Sequence, residues 1–67
     1  MKEYYIVFKR GKLQVYTREE KIKKETFDKL MKTHRKGDVR TRVINGWKIT
    51  TYYFMHFNLE EVEITEE

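Results

Sequence analysis

Apolar and polar positions along the chain form short runs that predict strands near both ends and a helix between them. Residues 3–8 and 13–17 are rich in β-branched and aromatic side chains, a composition typical of strands. Gly11, which lies between them, can adopt the positive φ of a tight turn. The pattern therefore predicts a first β-hairpin.

A single helix is predicted after this hairpin. An apolar stripe recurs at the i, i+3, i+4, i+7 spacing of one helix face, and it consists of Phe27, Leu30, Met31 and His34. An earlier start, with Thr17 as the N-cap of a capping box, would leave Ile22 far from this stripe. We therefore expect a helix over residues 24–36, with residues 18–23 as a connecting turn and Gly37 as the C′ residue.

The clearest local signal is the dipeptide Asn45-Gly46 between two strand-like runs. A type I′ turn needs positive φ at both central residues, which Asn and Gly tolerate best. Strands over residues 38–44 and 47–57 should pair around this turn. The expected cross-strand pairs are Ile44 with Trp47, Arg42 with Ile49, and Arg40 with Thr51.

The rest of the chain adds at most one further strand. Asn58 is expected to start a turn or to cap a short helix, "VEIT" (residues 62–65) offers a brief fifth strand, and residues 65–67 are expected to fray. The prediction is one domain over residues 1–67, of the α+β class, with one helix and an antiparallel sheet of four or five strands in the order ββαββ(β).

The expected strand 47–57 is apolar on both faces, although one helix can cover only one face of the sheet. Either the sheet curls strongly over its own second face, or a second copy or another protein covers it. We favour a homodimer or a protein partner. The candidate partner-binding residues are Tyr52, Tyr53 and Phe54.

Composition argues against catalysis and metal binding. The chain has no cysteine and no serine, which removes the two commonest side-chain nucleophiles. We expect His34 to lie at the edge of the core and His56 to be half-buried in a strand, because neither has a second ligand at metal-binding spacing. The apolar run 4–8 is too short to cross a membrane. We expect a cytoplasmic, non-enzymatic protein without cofactor or metal.

Charge is strongly segregated along the chain. All 15 Lys and Arg lie in residues 1–48 with six acidic residues, a net charge of +9, whereas residues 49–67 carry five acidic residues and no Lys or Arg. Basic groups can contact phosphates, and aromatic groups on a sheet can stack on unpaired bases. We therefore expect nucleic-acid binding. The candidate residues are Lys9, Arg10, Lys12, Arg40, Arg42, Trp47 and Lys48.

A protein-binding function competes with this prediction. A small regulator or inhibitor of the kind made by phages and other mobile elements could dock on a larger protein through an exposed aromatic sheet face or edge. The two-faced apolar strand supports this alternative, and the basic body supports nucleic acid. The sequence leaves both open.

Overall fold

Five strands and one helix make up the described part of the chain. The computed structural model describes residues 1–10 and 15–64. The elements, in chain order, are β1 (Lys2–Arg10), β2 (Val15–Ile22), α1 (Lys24–Thr33), β3 (Val39–Ile44), β4 (Trp47–Tyr53) and β5 (Phe57–Ile64). The predicted α+β class is confirmed, and a fifth strand is present, although it begins at Phe57 rather than at Val62. The predicted turn at Gly11 lies outside the described residues.

The strands form one antiparallel sheet in the order β2-β1-β5-β4-β3. The last strand, β5, is the central one, and it pairs with β1 from Glu63 to Phe57 and with β4 from Ile64 to Asn58. Because β2 and β3 are the two edges, α1 carries the chain from one edge of the sheet to the other. The helix therefore lies against a single face.

The second hairpin has the predicted geometry. Asn45 has a φ of 49° and Gly46 a φ of 82°, as a type I′ turn requires. The three expected pairs are all present in the register: Ile44 with Trp47, Arg42 with Ile49, and Arg40 with Thr51.

The core lies between α1 and the centre of the sheet. Phe27 is the buried residue of the helix, and its ring centroid lies 4.7 Å from that of Tyr4 and 5.8 Å from that of Tyr52. Leu59 on β5 is fully buried, and Ile6 on β1 belongs to the same cluster. The helix is thus anchored by aromatic contacts to β1 and β4, on either side of the central strand.

The helix ends at Thr33, so the predicted end at residue 36 is wrong. His34 already has an extended backbone, and the chain turns back towards β3. Gly37 is not the C′ residue, because its N–H donates to the Tyr53 carbonyl at 2.7 Å. A Cβ at Gly37 would lie 3.2 Å from that oxygen, so the absence of a side chain permits this close approach.

The connecting turn expected over residues 18–23 is a strand instead. β2 continues to Ile22, which lies opposite Tyr4, while Glu20 lies opposite Ile6. Charged residues are tolerated there because β2 is an edge strand. The Arg18 guanidinium carbon sits 4.7 Å from the centroid of the Phe8 ring. The rejected alternative, a helix that starts at a Thr17 capping box, is indeed absent, since Thr17 belongs to β2 and the helix begins at Lys24 as predicted.

The single strand expected over residues 47–57 is two strands. β4 ends at Tyr53 and β5 begins at Phe57, and the Phe54 N–H donates to the Phe57 carbonyl at 3.0 Å across the turn. The rings of Phe54 and Phe57 then stack, with centroids 4.8 Å apart. Apolar residues occur on both sides of this segment because it folds back on itself. Asn58 neither starts a turn nor caps a helix, but is buried within β5.

We predict that Leu59→Ala lowers the free energy of unfolding by about 2–5 kcal/mol, because Leu59 is 0% exposed at the centre of the core. Val43→Ala is the control, since Val43 is 67% exposed on edge strand β3, and it should change stability by less than about 0.5 kcal/mol. Urea unfolding followed by circular dichroism measures both. Equal effects would contradict the placement of the core.

Candidate functional site

The register determines which side chains share the face of the sheet that points away from α1, here called the open face. In order from edge strand β3 to edge strand β2, the central residues of this face are Arg40 and Arg42 on β3, Tyr53, Thr51, Ile49 and Trp47 on β4, Asn58, Glu60, Val62 and Ile64 on β5, Val7 on β1, and Glu19 on β2. No other described element packs against this face. Its two halves differ in chemistry.

One half of the open face is a polar hollow. Val7, Thr51 and Asn58 are buried at its base although α1 lies on the other side of the sheet. Longer side chains stand around them and border an open hollow of about 850 Å³, lined in part by Glu60 and Arg40. Curling of the sheet therefore covers this half of the second face.

Two carboxyl groups meet in the hollow. Partial burial, together with a hydrogen bond and repulsion from the Glu19 carboxyl, raises the pKa of Glu60 to about 7, against the opposing effect of Arg42. The pair can therefore share a proton at neutral pH. The sequence does not predict this pair, because Glu19 falls in the expected connecting turn 18–23, far from Glu60 along the chain.

The other half of the open face is apolar and exposed. Ile44 is 48% exposed, Ile64 45% and Trp47 38%. Ile49 and Val62 lie beside them and are partly exposed. These five residues belong to three neighbouring strands, so they form one continuous patch.

A second surface, here called the basic end, lies where the C-terminus of α1 meets one end of the sheet. The Lys9 N–H donates to the His56 carbonyl at 3.2 Å, and its Nζ donates to the Phe54 carbonyl at 2.5 Å. These bonds attach the end of β1 to the turn between β4 and β5. The segment after α1 is attached to the same region through the bond from Gly37 to Tyr53.

The basic end combines cationic and apolar groups around a groove of about 470 Å³. The groove is lined by residues 34–37 and 53–57. His34 packs edge-on against Phe57 with ring centroids 5.2 Å apart, and Met55 is 76% exposed at the rim. The segments 9–10, 34–38 and 53–57 contain one acidic residue, Asp38. The groove is therefore apolar inside and positively charged around its edge.

The structure separates the residues predicted to bind nucleic acid. Lys9 and Arg10 lie at the basic end, whereas Arg40, Arg42 and Trp47 lie on the open face. Lys48 lies on the α1 side of the sheet, since it pairs with Val43 and Glu63. Lys12 lies outside the described residues. No single surface holds the whole predicted set.

The three predicted partner-binding residues also lie apart. Tyr52 packs against Phe27 beneath the helix, Tyr53 lies on the open face, and Phe54 is buried in the core. Of the three, Tyr53 is thus the one on the surface that α1 leaves uncovered.

The sequence does not predict that four residues lie close to the end of β1 at the basic end: His34, Arg35, Lys36 and His56. His34 and His56, expected at a core edge and in a strand, are both exposed at the basic end. No local sequence signal marks the turn at residues 54–56, because it lies within an aromatic run.

We predict that the stability of the folded chain falls as the pH rises through about 7. The folded chain holds the Glu60 proton up to pH about 7, whereas an unfolded Glu releases it near ~4.3. The stabilisation that this retained proton gives to the folded chain is therefore fully present below pH ~4.3 and is lost above pH about 7. Solvent screening of a half-exposed group limits it to on the order of 1 kcal/mol.

Glu60→Gln should remove this pH dependence, and urea unfolding at pH 4, 6 and 8 measures it. Glu61→Gln is the matched control, since Glu61 lies next to Glu60 on β5 but points to the α1 side, where it pairs with Lys2. A wild-type pH profile in Glu60→Gln would show that the carboxyl pair does not share a proton.

The described residues contain no cluster of three or more His, Asp or Glu that could hold a metal ion. Their single helix is neither long nor apolar enough to cross a membrane. Comparison with protein-family models, curated proteins and solved structures finds no significant match to this chain.

Proposed function

We propose that the protein binds nucleic acid through the basic end. The observation that carries this proposal is the convergence of three separate chain segments on one surface. The end of β1 supplies Lys9 and Arg10, the segment after α1 supplies Arg35 and Lys36, and the turn between β4 and β5 supplies His56.

The cations of the basic end suit contacts with phosphate. Arg10, Arg35 and Lys36 are exposed, and the described residues include no ion pair between any of them and an acidic side chain. Lys9 is half-buried and donates to the Phe54 carbonyl, so it holds the turn in place as well as adding charge. Neutralising backbone phosphates with such groups releases counterions and favours binding.

The groove favours single-stranded over double-stranded nucleic acid. Its apolar lining of Phe57, Phe54 and Met55 can receive a base only if that base is unpaired and turned out of its stack. Its volume of about 470 Å³ lies within the range of pockets that take small ligands. Phosphates would lie on the rim and a base in the groove.

The open face is less suited to a polyanion. Arg40 and Arg42 share it with the Glu19–Glu60 pair and with Glu3, so attraction and repulsion largely offset each other. The apolar patch at its other half instead favours the alternative function, docking on a protein. Ile44, Trp47 and Ile64 would be the contacts for that alternative.

We predict that the triple variant Arg10→Ala, Arg35→Ala, Lys36→Ala loses most of the affinity for a short fluorescein-labelled poly-dT or poly-U strand. Removal of three phosphate contacts should reduce the slope of log K against log salt by about 2. Fluorescence anisotropy at several salt concentrations measures both quantities.

The matched control removes three cations from the opposite end of the molecule: Lys23→Ala, Lys24→Ala, Lys48→Ala. Lys23 and Lys24 begin the helix, and Lys48 pairs with Glu63. This variant has the same net charge as the first and should keep most of the wild-type affinity. Equal losses of affinity in the two variants would show that binding depends on net charge and not on the basic end. Absence of binding by the wild type at low salt would also reject the proposal.

A further inference from the structure

We infer that the free edge of β3 binds an extended acidic segment of another protein, which adds to the sheet as a new outer strand. The segment carries carboxylates opposite Arg40 and Arg42 and β-branched apolar residues at the positions between them. The inference does not depend on the basic end, because the groove there is lined by residues 34–37 and 53–57 and by no residue of β3.

The edge formed by β3 is uncovered along its whole length. β3 is an outer strand of the sheet, and β4 is its one neighbour among the described strands. All six of its residues, Val39–Ile44, are exposed, and they include Val43, at 67% exposed, and Val39, at 45%. An exposed edge with apolar side chains is a surface to which another strand can add.

The backbone groups that face this edge follow from the pairing of β3 with β4. The Tyr53 N–H donates to the Asp38 carbonyl at 2.9 Å, so residue 38 directs its carbonyl towards β4. This direction alternates along an antiparallel strand, so the even-numbered residues of β3 bond to β4. The N–H and C=O groups of Val39, Thr41 and Val43 therefore point away from the sheet, where no described residue pairs with them.

The charge of β3 selects an acidic strand. Arg40 and Arg42 are exposed on the open face, and neither forms an ion pair with an acidic side chain in residues 1–10 or 15–64. An added strand would place a residue directly opposite each arginine in a non-hydrogen-bonded pair, where Cα atoms are ~4.5 Å apart. Opposite charges at this spacing stabilise the pairing of strands, and like charges destabilise it.

The other side of the same edge selects apolar residues. Val39 lies opposite Tyr52, which packs against Phe27 of the helix, so the odd-numbered residues of β3 point to the α1 side. Val39 and Val43 nevertheless remain exposed, because α1 does not extend over β3. Apolar β-branched residues on the added strand would pair with them across the new ladder. The fitting segment therefore alternates between β-branched and acidic residues.

A second copy of β3 does not fit this edge. In the antiparallel register that overlaps the whole strand, Thr41 lies opposite Thr41, and Arg40 of each copy lies opposite Arg42 of the other. These like charges oppose the pairing, as charges on edge strands commonly do. The same two arginines thus disfavour self-association and favour an acidic partner.

The opposite edge strand, β2, lacks these properties. The Nε of Arg18 lies 3.0 Å from a Glu20 carboxylate oxygen on the same strand, and the Nζ of Lys21 lies 3.4 Å from a Glu3 carboxylate oxygen. Glu19 lies between these cations, so β2 carries both signs of charge and its cations are already paired. Strand addition is therefore assigned to β3.

The test titrates the ¹⁵N-labelled full chain with a peptide of sequence TVEVEVT that is blocked at both ends. The amide signals of Val39, Thr41 and Val43 should shift, and their exchange with solvent should slow, because their N–H groups gain carbonyl partners. The control peptide TVKVKVT has the same length and the same valines but the opposite charge. It should leave these signals unchanged.

A change of charge on β3 should change which peptide binds. Arg40→Ala with Arg42→Ala should weaken the binding of TVEVEVT about tenfold, through the loss of two cross-strand charge pairs. Arg40→Glu with Arg42→Glu should bind TVKVKVT instead. Thr41→Pro removes one outward N–H at an edge position, where proline is tolerated, and should abolish the binding of TVEVEVT. Circular dichroism checks that each variant folds.

Absence of shifts on β3 with TVEVEVT at millimolar concentration, or equal shifts with both peptides, overturns the inference. Shifts confined to residues 9–10 and 34–37 also overturn it, because the peptide then binds the basic end. The variant Arg10→Ala, Arg35→Ala, Lys36→Ala should keep most of its affinity for TVEVEVT even where it loses affinity for nucleic acid. The two surfaces are thus tested separately.

Discussion

A ten-residue helix, about 15 Å long and ~10 Å wide, must cover a sheet that measures about 19 Å between its edge strands. It does so on one face, where Phe27 packs between Tyr4 and Tyr52 above the fully buried Leu59. The other face receives no helix. Curling hides its polar half, where Thr51 and Asn58 are buried, and leaves its apolar half exposed. Both candidate surfaces of the molecule follow from this limited coverage.

The basic end is formed by two connections: the segment that follows α1 and the turn between β4 and β5. The helix stops at Thr33, and Gly37 allows the following segment to approach the Tyr53 carbonyl. The turn at 54–56 brings Phe54 and Phe57 into a stack and offers its carbonyls to Lys9. Basic residues that are far apart in sequence therefore surround one apolar groove. Cations at a helix C-terminus also complement the helix dipole, so this placement is compatible with stability as well as with binding.

The sequence predicts the elements whose signal is local. The turn at Asn45-Gly46 determines the register of its hairpin through backbone φ alone, and the helix start next to Ile22 follows from apolar spacing. Long-range features are not accessible in this way. The break at 54–56 lies within a run of uniformly aromatic character, so β-propensity alone extends the strand through it. The Glu19–Glu60 pair depends on β1 lying between β2 and β5, which is a property of the topology rather than of either segment.

The most direct test of the central claim, that the basic end binds nucleic acid, is a titration of the ¹⁵N-labelled protein with a short single-stranded oligonucleotide, followed by amide chemical shifts. The account predicts that the shifts concentrate on residues 9–10, 34–37 and 54–57, with little change along residues 47–49 and 62–64. Shifts concentrated on residues 40–49 and 62–64, or no shifts at low salt, would contradict it.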